Sequence, residues 1–354
     1  MLTFKKEGLV LSKTFAAFES DGVLNPAVIQ EGAEIHMFYR AVATGNNSTI
    51  GYCRLVDPLS VVERQDTPML FPEFDYESQG VEDPRIVKID ELYYLSYTAY
   101  DGLNALGALA VSRDLKHWEK RGIITPQMTW AEFNRLATTD GAINDKYCRF
   151  NEHDKLTDLN GKRVLLWDKN VIFFPRRING LLYFLHRIKP DIQIVSVGDL
   201  TELTVEFWQH YCTHFSKSIA LCPRYAHEVS YIGGGCPPLE TTAGWLLIYH
   251  GVYDTVQGYV YTACAALLSL DNPQHEIARL PYPLFSPEFE WELTGEVSNV
   301  CFPTGTAVIG DLLYIYYGAA DSQIACASLS LSGLISELLL NADENANETG
   351  CEPD

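Results

Sequence analysis

DELYYLSYTAYDG, Asp90 to Gly102, places turn-forming residues ahead of an apolar, aromatic strand that closes on polar side chains. The same design recurs in GAEIHMFYRAV from Gly32, NGLLYFLHRI from Asn179, AGWLLIYHGV from Ala243 and GDLLYIYYGAAD from Gly310. Each is followed by a strand of small and apolar residues: IGYCRLVDPL from Ile50, LGALAVSRDL from Leu106, IQIVSVGDL from Ile192, YTACAALLSLD from Tyr261 and IACASLSLSGL from Ile324. Two strands joined by a tight turn make an antiparallel meander. One meander cannot bury both faces, so several must stack. Five such units predict an all-β chain folded as a five-bladed β-propeller. The units lie roughly sixty to ninety residues apart, wider than the ~40–45 of a regular WD40 blade, which leaves room for insertions. A β-sandwich is the alternative.

Working outward, residues 1–335 are expected to form this single catalytic domain. Trp130 to Gly161 is polar and reads as a partly helical insertion between blades, at about 130–161. The acidic stretch 341–354, NADENANETGCEPD, lacks aromatics and is expected to be disordered.

Composition sets limits on partners. A formal net charge of -20 excludes a basic face for nucleic acid or an anionic membrane surface. The opening MLTFKKEGLVLSKTFAAF has no apolar stretch leading to a small-residue cleavage site, and no apolar run reaches the ~20 residues of a membrane span. The nine cysteines show no CxxC pair, and Cys53, Cys264 and Cys326 fall inside expected strands as small buried apolar residues. A soluble, cytoplasmic protein without a zinc or calcium site is expected. The sequence is silent on oligomeric state.

The aromatic strands end in Arg40, Tyr100-Asp101, His186-Arg187, Tyr249-His250 and Asp321. In a propeller, equivalent strand ends converge on the central channel, so these residues are candidates for one pocket. Pairing within each blade is the bland alternative. Ahead of the opening strand, Glu82, Asp83 and Arg85 crowd around Pro84, as groups that pair or face a ligand do.

Four stretches then point to a family. GVEDPRIVKIDELYYLSYTAYDG from Gly80, DKNVIFFPRRINGLLYFLHR from Asp168, IGGGCPPLETTAGWLLIYHGV from Ile232 and NVCFPTGTAVIGDLLYIYYGAAD from Asn299 resemble signatures of glycoside hydrolase family 130, the mannoside phosphorylases and β-mannosidases. The matches run in order from about Asn25 to Asp321. The family fold is a five-bladed propeller. The resemblance implies that Asp83 is the general acid of an inverting mechanism, passing its proton through a mannose hydroxyl. Glu82 is expected to help raise the pKa of Asp83, Arg85 to oppose it, and Pro84 to stiffen the backbone. The segment NNSTIG implies sugar contacts from Asn47 and Ser48, and the close of YYGAAD implies one from Asp321. Arg40, Arg85, Tyr100, Lys169, Arg187, Tyr249 and His250 complete the expected substrate-binding set. Tyr100, Tyr249 and Tyr253 are either stacking faces for sugar rings or blade core.

The acceptor divides the family. A phosphorylase needs basic residues around phosphate, and Arg187 and His250 stand where such residues are expected. A hydrolase needs a carboxylate base behind the sugar. The family's phosphorylases place a lysine just before the IG.G motif. Here Tyr231 stands in that position and Glu228 offers a carboxylate nearby. The expectation is therefore a β-1,2-mannosidase acting on β-mannooligosaccharides, with Asp83 as acid and Glu228 as base, and with no cofactor or metal. The alternatives are a β-mannoside phosphorylase that uses inorganic phosphate as co-substrate, and a sugar-binding propeller without catalysis.

Overall fold

The computed structural model describes residues 3–151 and 163–342. Its strands make five antiparallel meanders of four main strands each. The first contains Gly22–Glu31, Glu34–Ala43, Asn47–Asp57 and Ser60–Arg64, and the second Gly80–Ile89, Leu92–Tyr100, Ala105–Ser112 and Glu119–Ile123. The third contains Lys169–Phe173, Leu182–Arg187, Ile192–Val197 and Ile219–Leu221, and the fourth Tyr231–Gly234, Gly244–Thr255, Gly258–Leu268 and Glu276–Arg279. The fifth contains Cys301–Ile309, Leu312–Ala319 and Gln323–Ser330. Its fourth strand is Phe4–Leu11, from the other end of the sequence, paired antiparallel with Gln323–Ser330. A parallel bridge between Ser48 and Gly80 joins the first two meanders into one sheet, and no closed sheet runs through the described residues. The chain is all-β, and the aromatic segments of the sequence are the second strands of the meanders.

Packing follows chain order. One apolar cluster joins Ala27 and Phe38 of the first meander to Ile86, Leu95 and Tyr97 of the second. Others join the second to the third (Leu109, Val171, Phe184), the third to the fourth (Leu185, Ile232, Trp245) and the fourth to the fifth (Leu267, Ile315, Ala325). A last cluster joins Tyr316 and Cys326 of the fifth to Val23 and Met37 of the first, so the packing closes a cycle. Cys53, Cys212, Cys236, Cys264, Cys301 and Cys326 are buried free thiols.

A buried polar unit repeats beside these clusters. One turn of helix ahead of the first strand ends in or contains a buried glutamate in four meanders: Glu19, Glu77, Glu228 and Glu292. Each accepts the hydroxyl of a second-strand tyrosine, namely Tyr39 at 2.8 Å, Tyr97 at 3.1 Å, Tyr249, and Tyr317 at 2.6 Å. Each also pairs with a fourth-strand cation: Arg64 at 2.8 Å, Lys120, Arg279 at 3.3 Å and Lys6 at 2.6 Å. In the third meander, Asp168, His186 and Tyr211 stand in corresponding roles, with contacts of 2.8 and 2.7 Å. A buried carboxylate is tolerated only when its charge and lone pairs are satisfied in this way.

Helices Trp130–Ala137 and Asp145–Asn151 occupy the expected insertion, whose residues 152–161 lie outside the described residues. Helix Val205–Thr213, unanticipated in the sequence, packs Trp208 and Cys212 against Phe133 and Leu136. Helix Leu331–Leu340 buries Leu334 and Leu338 in the cluster of the fourth and fifth meanders. The expected disordered tail lies, from residue 343, outside the described residues. Among the described residues, no helix is long and apolar enough to cross a membrane.

Candidate active site

Three first strands bulge at the same point. Asn25, Asp83 and Asn170 adopt φ of 49°, 47° and 55°. Pairing slips at each: between Leu24 and Ala27, Glu82 and Arg85, and Lys169 and Ile172. A left-handed residue in a bulge favours Asn or Asp, whose short polar side chains bond locally. Asp83 puts a carboxylate where its two counterparts carry amides.

That carboxylate is closely held. Asn25 Nδ2 donates to Asp83 Oδ1 at 2.7 Å, and Arg40 Nη1 approaches the same oxygen at 3.5 Å. Arg40 also bonds Glu82 Oε1 at 2.8 Å and Ser48 Oγ at 2.9 Å. Burial pushes the Asp83 carboxyl up, but Arg40, then Lys169, the Asn25 amide and Arg85 together hold it below its usual value. The expected arrangement, with Glu82 raising Asp83, is not found, because Glu82 is engaged by Arg40. Asp321 behaves oppositely. Burial, then the charge of Asp83, push it up to about 6, with Glu82 adding to the rise and Arg40 and Lys169 opposing it. Gly318 completes this corner: a Cβ there would lie 2.0 Å from Asn25 Oδ1.

Beyond Asp83 the site turns cationic. Arg85 bonds the carbonyls of Gly235, Asp83 and Pro84, the last at 2.9 Å, and its guanidinium lies 5.7 Å from the Phe302 ring centre. Lys169 sits 4.9 Å from the Trp167 ring centre and pairs across strands with Arg187. Burial is the main force lowering the pKa of Lys169, with Arg187 and Arg40 adding to it against Glu82 and Asp83. Arg187 Nη1 donates to His250 Nε2 at 3.1 Å. Burial, then Arg187, Arg85 and Lys189, hold His250 well below the usual imidazole value, so it accepts as a neutral ring. Arg85 Nη2, Arg187 Nε and His250 Nδ1 are buried without a hydrogen-bond partner. Unpaired buried donors are costly unless a ligand completes them.

Four expected site residues point elsewhere. Asn47 is exposed and tied into its turn by Thr44 O at 3.2 Å and Gln79 Nε2 at 3.1 Å. Tyr100 donates to Gly102 O at 3.0 Å within its own loop. Tyr249 is buried with its hydroxyl on Glu228. Glu228, expected to be the base, is fully buried and belongs to the repeated glutamate unit, accepting backbone N–H groups of Arg224 at 2.9 Å and Tyr225 at 3.3 Å. It cannot activate a water there. His227, Glu228 and Cys264 come within 4.8 Å of one another, but Arg279 occupies the Glu228 carboxylate and burial keeps Cys264 protonated. That grouping does not suit a metal.

Sequence reading missed Asn25 and Lys189. Asn25-Pro26 mirrors Asp83-Pro84, a signal present in the sequence. Lys189 gives no comparable signal. Its ammonium lies 3.8 Å from the ring centre of Tyr231, so it reaches the place of the cation that position 231 lacks.

The family model described as beta-1,4-mannooligosaccharide phosphorylase matches residues 11–338. The chain belongs to glycoside hydrolase family 130. Within it, the 1,2-beta-oligomannan phosphorylase of Thermoanaerobacter sp. (strain X514) is 31% identical over 336 residues, covering 92% of this chain and 96% of the relative. A beta-1,2-mannobiose phosphorylase of the same strain is 35% identical over 330 residues, covering 88% and 90%. The solved beta-1,2-mannobiose phosphorylase of Listeria innocua, in complex with β-1,2-mannobiose, shares the fold with a TM-score of 0.70 at 21% identity, covering 96% of this chain and 100% of that one. These family-130 relatives are named phosphorylases, which overturns the expectation of a hydrolase. The misreading came from Glu228, whose carboxylate serves its own meander.

Proposed function

We propose that this family-130 protein is an inverting β-mannoside phosphorylase. It transfers a mannosyl unit from a β-mannooligosaccharide to inorganic phosphate and releases α-mannose 1-phosphate. The observation that carries this reading is the group Arg85, Lys169, Arg187 and His250 beside Asp83, with buried donors on Arg85 and Arg187 left unpartnered. Such donors suit a dianion better than a water, which would need a carboxylate base.

Asp83, Asp321, Arg40, Ser48 and Glu82 hold the mannosyl unit at this end. The anomeric carbon then lies between Asp83 and the cations, so phosphate attacks from the face opposite the leaving sugar. The bond to the leaving oxygen breaks as the bond to a phosphate oxygen forms, and inversion follows. Asp83, ionised in the free enzyme, must first gain a proton, which it then passes to the leaving oxygen through a mannose hydroxyl. Hydrogen phosphate gives up one proton on esterification, so the cycle consumes none. Asp321, protonated up to about pH 6, is the neighbouring carboxyl able to share that proton.

The five meanders packed in a cycle support a five-bladed β-propeller, with second-strand Arg40, Arg187 and His250 meeting first-strand Asp83 at one mouth. A charged sugar-phosphate product, which does not cross a membrane unaided, fits a cytoplasmic enzyme.

The test is product analysis. Purified protein is incubated with β-1,2- and β-1,4-mannobiose, with and without inorganic phosphate. Mannose 1-phosphate formed only when phosphate is present supports the reading. Release of free mannose at the same rate without phosphate would overturn it.

A further inference from the structure

We propose that Lys189 is a direct ligand of the attacking phosphate, held in place by the helix Asp145–Asn151. This rests on the phosphorylase reading and adds a residue that the sequence motifs do not mark. Lys189 lies two positions past Arg187, just beyond the second strand of the third meander. Its ammonium is 3.8 Å from the ring centre of Tyr231, and the Arg187 guanidinium is 5.5 Å from the same centre. Both cations lie against one ring, close enough for Arg187 to depress the Lys189 ammonium.

The charges acting on Lys189 are Arg187 and Lys169, both of its own sign. Among the described residues, this half-buried ammonium has two cations and aromatic faces as its neighbours, an unfavourable arrangement without an anion. Burial, then those two cations, push its pKa well below the usual value, and a bound dianion would reverse that. A lysine whose only role was to cover an aromatic ring would gain by carrying its head out to water.

The helix supplies the restraint. Asn151 Nδ2 donates to Lys189 O at 3.0 Å and to Tyr147 O at 2.9 Å. Tyr147 in turn bonds Asp191, and Gln193 Nε2 donates to the Tyr147 hydroxyl at 3.1 Å. Phe150 meets Tyr231 edge-on at 5.4 Å, with the Lys189 ammonium 5.7 Å from its own ring centre. The insertion thereby fixes both the backbone and the head group of Lys189.

The experiment uses the full chain and compares Lys189→Met, Lys189→Arg and Asn151→Ala with wild type. Initial rates are measured against phosphate at saturating β-mannobiose, and against β-mannobiose at saturating phosphate. Losing one charge-assisted contact should raise the KM for phosphate about tenfold to a hundredfold in Lys189→Met, while the KM for β-mannobiose stays within about twofold. Lys189→Arg should recover most of the affinity, and Asn151→Ala should show a smaller rise in the same constant. As a second readout, inorganic phosphate should raise the melting temperature of wild type more than that of Lys189→Met. Equal phosphate constants and equal phosphate-induced shifts in wild type and Lys189→Met would sink the assignment, with the phosphorylase reading intact. Phosphate-independent cleavage by wild type would sink both.

Discussion

Asn25 donates its amide to the Asp83 carboxylate at 2.7 Å from the same bulge position, one meander earlier, that Asp83 holds in its own. One backbone device thus serves two ends. In the first meander it presents a neutral donor, in the second an acid, and the donor orients the acid.

The bulge makes a clean substitution available. Asp83→Asn keeps a side chain that Asn25 and Asn170 show to be compatible with positive φ, so the fold should survive. Turnover should fall by about 10²–10⁴-fold, the usual contribution of a positioned acid. A folded Asp83→Asn enzyme with near-normal rates would remove Asp83 from the chemistry.

Two glycines separate the halves of the site. A Cβ at Gly318 would lie 2.0 Å from Asn25 Oδ1, and one at Gly233 would lie 2.5 Å from His250 Cε1 and 2.8 Å from Arg187 Nη1. Gly318→Ala should disturb the Asn25–Asp83 contact and lower kcat. Gly233→Ala should disturb the cations and chiefly raise the KM for phosphate. Steady-state kinetics on both variants test this, and identical kinetic signatures would contradict the division.

Glu228→Gln should act on stability. Removing this charge leaves the buried Arg279 with Glu276 as its remaining carboxylate, at 2.6 Å, so the loss should fall below the ~3–5 kcal/mol of a fully broken buried pair. Chemical denaturation should show that loss, with comparable losses for Glu77→Gln and Glu292→Gln. Phosphorolysis by the folded fraction should continue. A fully stable, inactive Glu228→Gln protein would restore its catalytic role.

Asp191 sets a pH dependence. Burial raises it from 3.8 to about 7, with the Tyr147 hydroxyl and the Lys146 and Arg279 charges opposing. The folded chain then binds more protons than the unfolded one between those values, so this group's contribution to stability falls as pH rises from about 4 to 7 and is level above. Asp83, with a lowered value, slopes the other way at more acidic pH. Melting temperatures across this range should decline less steeply in Asp191→Asn. An unchanged profile would show that Asp191 is not the group.

The aromatic second strands were legible because they are central, buried on both faces and separated by turn residues. Residues at their polar ends, Arg40, Arg187 and His250, were legible for the same reason, since each follows a Tyr or His (Tyr39, His186, Tyr249) that faces its own meander. Glu228 misled because it was read alone. Phe18-Glu19, Tyr76-Glu77, His227-Glu228 and Trp291-Glu292 form a series, each pair preceding a first strand, and a repeated residue marks structure before chemistry. Lys189 escaped because nothing in its local sequence marks it, and only the fold sets its ammonium 3.8 Å from the Tyr231 ring of the neighbouring meander.

The pairing of Phe4–Leu11 with Gln323–Ser330 governs how the chain is finished during synthesis. Lys6 and its partner Glu292 are 286 residues apart. A ribosome releases the first strand long before the strand it pairs with has been made, and until then that strand offers open backbone groups to any other edge nearby. The fifth meander is therefore completed late, and a chain terminated before Gln323 leaves Phe4–Leu11 without its partner strand, ready to pair with another copy or to be taken up by a chaperone.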